Sequence, residues 1–395
     1  MARDKHFRIG EYPVTIALTA LILLFFGAFL VKEDTVVSKM ENRPLQQRPQ
    51  ITIASLADGS FMDSFDTYTK EQLFLRDGLI SLKAACEQAF LKTENNGVIR
   101  TSDGALVEKA LSTSEQYDKN LDLISQFIDS CDRHVNICFV PNFSEVYKCS
   151  LSAGTPVLNE REMASRMTGA VKKLDVTVID PIDTLYKHND EYLYYRTDHH
   201  WTSRGAYLAY EEIAKSMGFE PIPLEEVKSE SVNHKSIESA DAVKGYAKRS
   251  VNDFYGTLYA KYKGLAIEPD VIDYYEIPII SLEKDGKIVQ NDLYDISKAE
   301  EYDKYALFLY GNDGRATIKA SNAGNGKHLI MLKDSYANCL IPYLTCNYDT
   351  IDVLDLRYLK GSVTEILNEN EGADVLMLYN YSFLNSDNHF YKLLQ

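Results

Sequence analysis

Cysteine and basic residues are scarce in this chain of 395 residues. It has six Cys, one Trp and no C-x-x-C pair. Its 42 Lys and Arg are outnumbered by 58 Asp and Glu, which gives a net charge of −16. So few cysteines argue against a disulfide scaffold or a cysteine metal cluster. The acidic balance repels phosphate backbones and disfavours nucleic-acid binding. Gly and Pro are too rare for collagen or disorder, and 45% hydrophobic residues indicate a folded protein.

One long apolar run lies near the N-terminus. It extends from Val14 to Val31 and would span about 27 Å as a helix, close to the hydrocarbon thickness of a bilayer. Basic residues precede it, so the positive-inside rule predicts a cytoplasmic segment 1–13, a single-pass anchor 14–31 and an extracytoplasmic remainder. A cleaved signal peptide is the alternative interpretation. We therefore expect a cell-membrane protein whose C-terminal domain lies outside the cytoplasm.

The remainder divides into a polar stalk at 32–56 and a domain at 57–395. Helical spacing alternates with short apolar runs, which predicts an α/β fold with a parallel sheet flanked by helices. Residues 220–303 lose this alternation, so we interpret them as a mixed or antiparallel insertion. The predicted strands are Val135–Val140, Val176–Ile179, Tyr192–Tyr195, His328–Leu332, Ile351–Leu354 and Val375–Tyr379, and the predicted helices are Phe61–Ala89, Leu121–Ile128, Met163–Leu174, Arg204–Met217, Tyr336–Leu344 and Val363–Leu367.

Ser335 lies shortly after one of these predicted strands. In open α/β sheets, ligands bind beyond the carboxyl ends of the strands, and Lys333-Asp334-Ser335-Tyr336 lies at such an end. Ser335 is therefore a candidate nucleophile, and its backbone N–H at the start of a helix could face an oxyanion. An N-cap role is the alternative, since Ser and Asp are both preferred at that position.

A second candidate segment, Arg196–Ser203, holds the only Trp and two adjacent histidines. If the extended backbone of the preceding strand continues, Asp198 and His200 point to the same side and His199 points away. A carboxylate beside an imidazole fixes its tautomer and stabilises the imidazolium, so His200 is the candidate general base and Asp198 its partner. The alternatives are a hydrogen-bonded helix entrance or a metal site, but the other histidines lack complementary ligand spacing, and neither metal nor cofactor is predicted.

Two asparagines are candidate donors of an oxyanion hole. Asn380 follows the last predicted strand, and Asn312 follows the apolar run Tyr305–Tyr310. An Asn that bonds the backbone of its own loop is at least as good an interpretation. The residues alone do not separate the two positions.

The run Asp198-His199-His200-Trp201, followed by Thr202-Ser203-Arg204-Gly205, resembles the signature of the DHHW protein family. This family is similar to SGNH hydrolases and is related to the alginate O-acetylation proteins AlgX and AlgJ. The resemblance extends from about residue 55 onward and includes Phe74–Asp77 and Leu332–Tyr336. It implies that Asp198 and His200 are the acid and base and Ser335 the nucleophile, with Lys333 in place of the Gly of the general SGNH turn.

The function that this resemblance implies is acetyl handling by a cell-surface serine enzyme. We predict O-acetyl transfer onto an exopolysaccharide or cell-wall glycan through acetyl-Ser335, with a polysaccharide as acceptor and a membrane-bound O-acyltransferase as acetyl supplier. Hydrolysis of the same esters by a carbohydrate O-acetylesterase is an alternative in the same chemical class. A non-catalytic glycan-binding scaffold of a polysaccharide export or acetylation complex is the alternative from another class.

Overall fold

The computed structural model describes residues 12–38, 43–90, 92–224, 239–243, 246–263, 267–284 and 286–395. They form two compact units, one made of the described residues up to 92 together with 263, and the other of the described residues from 93 to 262 and from 267 to 395. Most of the predicted segment 1–13 and parts of the predicted insertion 220–303 lie outside the described residues. The domain boundaries drawn from the sequence therefore stay predictions.

The first unit begins with one long apolar helix. Helix α1 has a mean hydropathy of 2.7 and is long and apolar enough to cross a membrane, with its side chains unburied. The helix predicted over 61–89 is divided into two, because Leu75 adopts a left-handed backbone (φ 57°) that interrupts it. The elements of this unit are α1 (Pro13–Val31), β1 (Val37–Ser38), β2 (Arg43–Pro44), α2 (Ile53–Ala57), α3 (Ser60–Glu71) and α4 (Arg76–Ala89).

An eight-stranded sheet is the centre of the second unit. Five neighbouring strands in spatial order β15-β14-β16-β6-β7 are parallel, and β13, β11 and β12 extend the β15 edge in antiparallel fashion. The strands of this sheet are β6 (Val135–Val140), β7 (Val176–Ile179), β11 (Ser281–Lys284), β12 (Lys287–Gln290), β13 (Arg315–Lys319), β14 (His328–Lys333), β15 (Thr350–Leu354) and β16 (Asp374–Asn380).

Helices cover both faces of this sheet. Alternate residues of β14 enter different cores, Leu329 and Met331 on one face and Ile330 and Leu332 on the other. Burial on both faces explains why the parallel strands are continuous apolar runs in the sequence. The helices of this unit are α5 (Glu115–Ser130), α6 (Phe143–Val146), α7 (Glu160–Val171), α8 (Ile182–Lys187), α9 (Ser203–Met217), α10 (Thr257–Tyr262), α11 (Ile341–Leu344), α12 (Val363–Glu369) and α13 (Tyr381–Ser386), of which α10 packs on a smaller sheet, residues 94–108.

Smaller sheets flank the central one. One antiparallel sheet contains β3 (Glu94–Asn95), β4 (Val98–Arg100) and β5 (Leu106–Glu108), and another contains β8 (Ser239–Val243), β9 (Tyr246–Phe254) and β10 (Asp270–Tyr275). The second of these lies within 220–303, where the sequence predicts mixed or antiparallel structure. From the same region, β11 and β12 join the central sheet itself. The fold is thus the predicted α/β arrangement of a parallel sheet flanked by helices with a mixed insertion.

Two local predictions differ from the structure. Tyr192–Tyr195 is not a strand, because only a single bridge, between Tyr194 and Trp201, forms there. The helix predicted over 336–344 begins as a 3₁₀ helix, Ser335–Cys339, before the short helix α11. No disulfide joins the six cysteines, all of which lie in the described part of the chain.

Candidate active site

Ser335 lies at the carboxyl end of β14, at the first position of the 3₁₀ helix Ser335–Cys339. Asp334 is the N-cap of this helix and accepts hydrogen bonds from the Tyr336 N–H (2.9 Å) and the Asn380 N–H (2.7 Å). Burial raises the pKa of Asp334 to about 6. The carboxylate therefore fixes the turn after β14 to the end of the neighbouring strand β16, while the hydroxyl of Ser335 stays partly exposed.

His200 lies between Ser335 and Asp198. Its Nε2 is 2.7 Å from Ser335 Oγ, and its Nδ1 is 2.6 Å from Asp198 Oδ1. A carboxylate only accepts hydrogen bonds, so Nδ1 carries the proton and Nε2 accepts from the Ser335 hydroxyl. This is the arrangement in which an imidazole can accept a proton from a serine.

The structure also corrects the reason given for pairing Asp198 with His200. The two residues are neighbours in a hydrogen-bonded turn and not along an extended strand, since the His200 N–H donates to Asp198 Oδ1 (3.0 Å). The other carboxylate oxygen, Oδ2, accepts from the Thr257 N–H (2.8 Å) and hydroxyl (3.0 Å). Four N–H and O–H groups thus hold this carboxylate in place.

Burial and charge set the ionisation of this pair. Burial disfavours the charged form of Asp198, but attraction to His199 and His200 and the hydrogen bonds from His200 and Thr257 outweigh it, so its pKa lies well below its usual range. Burial lowers the pKa of His200 to about 4, helped by His199 and opposed by Asp198. At neutral pH the carboxylate is therefore charged and the imidazole is neutral and able to accept a proton.

Tyr305 fixes the plane of the imidazole. Its ring stacks on His200 with a centroid separation of 3.8 Å and an interplanar angle of 12°. The Tyr305 hydroxyl donates to the Ser335 carbonyl (3.1 Å). One side chain therefore supports both the His200 ring and the backbone of Ser335.

The single Trp joins the two halves of the site. Trp201 is completely buried, and its Nε1–H donates to the Tyr336 carbonyl (2.8 Å). In the opposite direction, the Tyr336 hydroxyl donates to the His199 carbonyl. These reciprocal bonds connect the segment that carries His200 with the segment that carries Ser335.

The two asparagines predicted as oxyanion donors make other contacts. Asn380 Nδ2 donates to the Val140 carbonyl (2.9 Å), and Asn380 Oδ1 accepts from the Ser382 N–H (2.8 Å). Asn312 Oδ1 accepts from Lys333 Nζ (2.7 Å). The amide of Asn380 is therefore engaged with the backbone, as the loop interpretation of that residue expects.

Lys333, which stands where the resemblance expects Gly, is buried beneath the turn that carries Ser335. Its Nζ donates to Asn312 and to Asn338 Oδ1 (2.8 Å) and lies 3.5 Å from Asp355 Oδ2. Asp355 also pairs with Arg357 through two bonds of 2.9 and 2.6 Å. Burial lowers the pKa of Lys333 to about 8, and attraction to Asp355 opposes the shift. These contacts pair the buried charges behind the turn. The Lys333 side chain also supports the turn, which a glycine at this position could not do.

Asp198, His199 and His200 offer ligand atoms within 4.8 Å of one another, which is compatible with a metal by distance alone. However, both oxygens of Asp198 already accept protein hydrogen bonds, and His200 is held between Asp198 and Ser335. The His199 Nδ1 donates to the Thr257 hydroxyl (2.8 Å). The donor set is thus committed to hydrogen bonding, and it fits an acid–base site better than a metal centre.

A cleft of about 370 Å³ adjoins this site and includes Asp198 and His199 in its wall. Amide and hydroxyl side chains dominate its polar lining, and Lys109, Lys261 and Glu108 add charges. The amide and hydroxyl residues are Asn96, Asn142, Ser144, Ser382, Asn385 and Ser386. Such a lining offers both donors and acceptors to a ligand rich in hydroxyl groups.

Several supporting residues were missed by sequence reasoning. Gly256 packs directly against Asp198, and an added Cβ would lie 2.7 Å from the Asp198 Cα. Thr257 donates to the same carboxylate, and Tyr305 stacks on His200. The motif gives no signal for these residues, because they lie more than 50 positions away along the chain.

Comparison with known proteins identifies the family of this chain. Residues 158–354, about half of the chain, match the family model described as DHHW protein. The chain therefore belongs to the DHHW family, as its four-residue signature predicts. No curated protein matches it.

Two of the solved structures that are similar to this chain share its fold. A DHHW family protein from Eubacterium siraeum is 21% identical, with a TM-score of 0.60 over 76% of this chain and 96% of that one. PatB1 from Bacillus cereus with a sulfonyl adduct is 22% identical, with a TM-score of 0.56 over 75% and 98%. The O-acetyltransferase domain of AlgJ from Pseudomonas putida is more distant, at 14% identity and a TM-score of 0.45 over 74% and 93%.

Proposed function

We propose that this protein is a serine-dependent O-acetyltransferase that modifies a polysaccharide through an acetyl-Ser335 intermediate. The observation that carries the proposal is the chain of two short contacts from Ser335 Oγ to His200 Nε2 and from His200 Nδ1 to Asp198. Its position at the carboxyl ends of parallel strands, beside a cleft with polar lining, supports it.

In the first half of the reaction, Ser335 Oγ attacks the carbonyl carbon of an acetyl donor while His200 Nε2 accepts the hydroxyl proton. The Asp198 carboxylate stabilises the imidazolium. The Ser335 N–H has no acceptor in the described part of the chain, so we assign it to the oxyanion. When the tetrahedral intermediate collapses, the leaving group departs with the proton from His200, and acetyl-Ser335 remains.

In the second half, a sugar hydroxyl from the adjoining cleft attacks acetyl-Ser335. His200 accepts the proton of that hydroxyl and returns it to Ser335 Oγ as the ester bond to the enzyme breaks. Water in place of the sugar gives hydrolysis by the same steps. Transfer therefore requires that the acceptor occupy the cleft and exclude water from the ester.

The PatB1 structure adds a chemical argument. That protein carries a sulfonyl adduct, and a sulfonyl group is an electrophile that captures activated nucleophiles. A partly exposed serine paired with a neutral imidazole is such a nucleophile, so we expect a sulfonyl fluoride to label Ser335. We further propose that the domain after α1 lies outside the cytoplasm, where a membrane-bound O-acyltransferase supplies the acetyl group.

The test uses the full chain in detergent micelles with p-nitrophenyl acetate as donor. The chain is expected to release p-nitrophenol and to gain one acetyl group in its intact mass. Ser335→Ala should abolish the adduct, and His200→Ala and Asp198→Asn should slow it by on the order of 10³-fold or more. The exposed Ser152→Ala is the matched control and should react like the parent.

A panel of neutral, amino and uronic-acid oligosaccharides then separates transfer from hydrolysis. An acetylated oligosaccharide product supports transfer, whereas faster release of acetate without such a product identifies an esterase. A parent protein that forms no adduct at Ser335 with either the ester or a sulfonyl fluoride would remove the basis of the proposal. A scaffold would also keep glycan acetylation in cells that carry Ser335→Ala and lose it only on deletion.

A further inference from the structure

One face of helix α4 is apolar and exposed. Leu79, Leu82 and Cys86 follow one another in α4 at spacings of three and four residues, which places them on one side of the helix, and Leu75 and Phe90 flank the helix as its N-cap and C-cap. Leu75 and Leu82 are each 59% exposed, and Phe90 is 87% exposed. We call these five residues the α4 stripe. In an ordinary globular helix such a stripe faces the core, so its exposure calls for a covering surface.

Polar contacts fix the end of α3 beside the point where the chain leaves α1. The Thr35 N–H donates to Gln72 Oε1 (2.8 Å), and Gln72 Nε2 donates to the Thr35 carbonyl (2.9 Å). The Tyr68 hydroxyl donates to Asp34 Oδ1 (2.9 Å). A Tyr in this position resembles the aromatic residues found at membrane–water interfaces, because its ring is apolar and its hydroxyl has a polar partner.

Apolar contacts continue along α1 from this polar level. The rings of Phe29 and Tyr68 are 5.6 Å apart, and those of Phe25 and Phe74 are 6.1 Å apart. Phe25 lies six residues before Val31, the last residue of α1, which corresponds to about 9 Å along the helix axis. Phe74 therefore lies beside a part of α1 that is within the hydrocarbon when α1 spans a bilayer.

We propose that α4 lies on the bilayer surface at the Val31 end of α1, with the α4 stripe facing lipid. The α4 stripe begins at Leu75, directly after Phe74, whose ring contacts Phe25 about 9 Å inside the Val31 end of α1. Amphipathic helices at a membrane interface bury their apolar face by about 5–10 Å, and the depth of the Phe25–Phe74 contact lies in this range. Lys83 and Glu87 form an ion pair on the flank of the helix (3.4 Å). Lipid is the occupant that this continuity with α1 favours. The inference does not depend on acetyl transfer.

The test places the photoreactive residue p-benzoylphenylalanine at Leu79 or at Leu82 of the full chain. The protein is assembled into phosphatidylcholine–phosphatidylglycerol nanodiscs and irradiated, and adducts are identified by mass spectrometry. Leu23, exposed on α1, is the positive control, and Asp77, on the opposite side of α4 from the stripe, is the negative control. Both test positions are exposed, so the probe should not disturb folding, which a thermal melt verifies.

Lipid adducts at Leu79 and Leu82 are expected at a yield similar to that at Leu23 and several-fold above that at Asp77. Cross-links from the stripe to a second copy of the chain, or lipid yields no higher than at Asp77, would overturn the proposal. An absence of lipid adducts at Leu23 would also overturn it, because the proposal requires α1 to be in the bilayer. A protein that lacks activity towards p-nitrophenyl acetate but labels lipid from the stripe would refute the proposed function alone.

Discussion

Substitution of Gly256 by Ala tests whether the position of Asp198 matters for the chemistry. The added Cβ would lie 2.7 Å from the Asp198 Cα and closer still to its side chain, whereas carbon atoms in contact are normally about 3.5–4.0 Å apart. Relief of this clash requires a shift of about 1 Å. The His200 Nδ1–Asp198 Oδ1 contact of 2.6 Å would then exceed hydrogen-bonding distance.

A misplacement of about 1 Å costs on the order of 10²-fold in rate, and loss of the aspartate's alignment in a serine triad costs up to about 10⁴-fold. We therefore expect Gly256→Ala to acetylate Ser335 at least about 10²-fold more slowly than the parent, measured as the initial rate with p-nitrophenyl acetate. Overpacking should also destabilise the fold by about 1–3 kcal/mol, so circular dichroism and a thermal melt accompany the assay.

The matched control is Gly169→Ala in α7, where a Cβ meets nothing within 4 Å. Because Ala is favoured over Gly in a helix by about 0.5–1 kcal/mol, this variant should be slightly more stable and equally active. A folded Gly256→Ala protein that reacts at the parental rate would refute the assigned role of Asp198. Equal losses in both variants would point to a general effect of the substitution.

Three further predictions follow from the same contacts. His200 must be neutral to act as base, and its pKa is lowered to about 4, so the acetylation rate at pH 5.5 should stay close to the rate at pH 7.5. An ordinary histidine, with a pKa of about 6.5, would leave roughly a tenth of the pH 7.5 rate at pH 5.5. A stopped-flow pH profile distinguishes the two outcomes. Trp201→Phe leaves the buried Tyr336 carbonyl without its indole partner and should lower the free energy of unfolding by about 1–3 kcal/mol in denaturant titrations; an unchanged midpoint contradicts this. Ser386→Ala removes a hydroxyl from the wall of the cleft without touching Ser335, His200 or Asp198, so it should raise KM for an oligosaccharide acceptor by about 2–10-fold while acetylation of Ser335 from p-nitrophenyl acetate stays unchanged; equal losses in both would count against an acceptor role for the cleft.

The parallel strands were predictable because both their faces are buried. Val135–Val140 and Val176–Ile179 have the predicted bounds, and the strands at 328, 350 and 374 begin within one residue of prediction. The antiparallel strands beside β15 were harder to predict from the sequence. Arg315–Lys319 alternates buried and less buried residues, a weak signal in a five-residue strand, and its place beside β15 depends on pairing that no local pattern reveals.

The candidate site was predictable where chemistry forces residue types together. Asp198 and His200 could be paired because a carboxylate beside an imidazole suits a general base, and Ser335 was a candidate because it follows a predicted strand. The resemblance to the DHHW family then joined the three residues. The strand expected to carry Asp198 is absent, so that step of the reasoning was wrong although the two side chains do meet. Tyr305 acts by stacking on His200 and by a hydrogen bond to the Ser335 carbonyl, and Gly256 acts by its close approach to Asp198. Neither residue is near the motif in the sequence, so no local pattern indicates these contacts.

The order in which the ribosome makes these residues limits when Ser335 and His200 can come together. His200 and Ser335 are 135 positions apart, and Asn380, whose N–H holds Asp334, follows that residue by 46 positions. At about 5–20 residues per second, a ribosome makes the serine on the order of ten seconds after the histidine. Strand β14 also lies between β15 and β16, both of which are made later. We therefore expect the contact between Ser335 Oγ and His200 Nε2 to form only after β16 has been made.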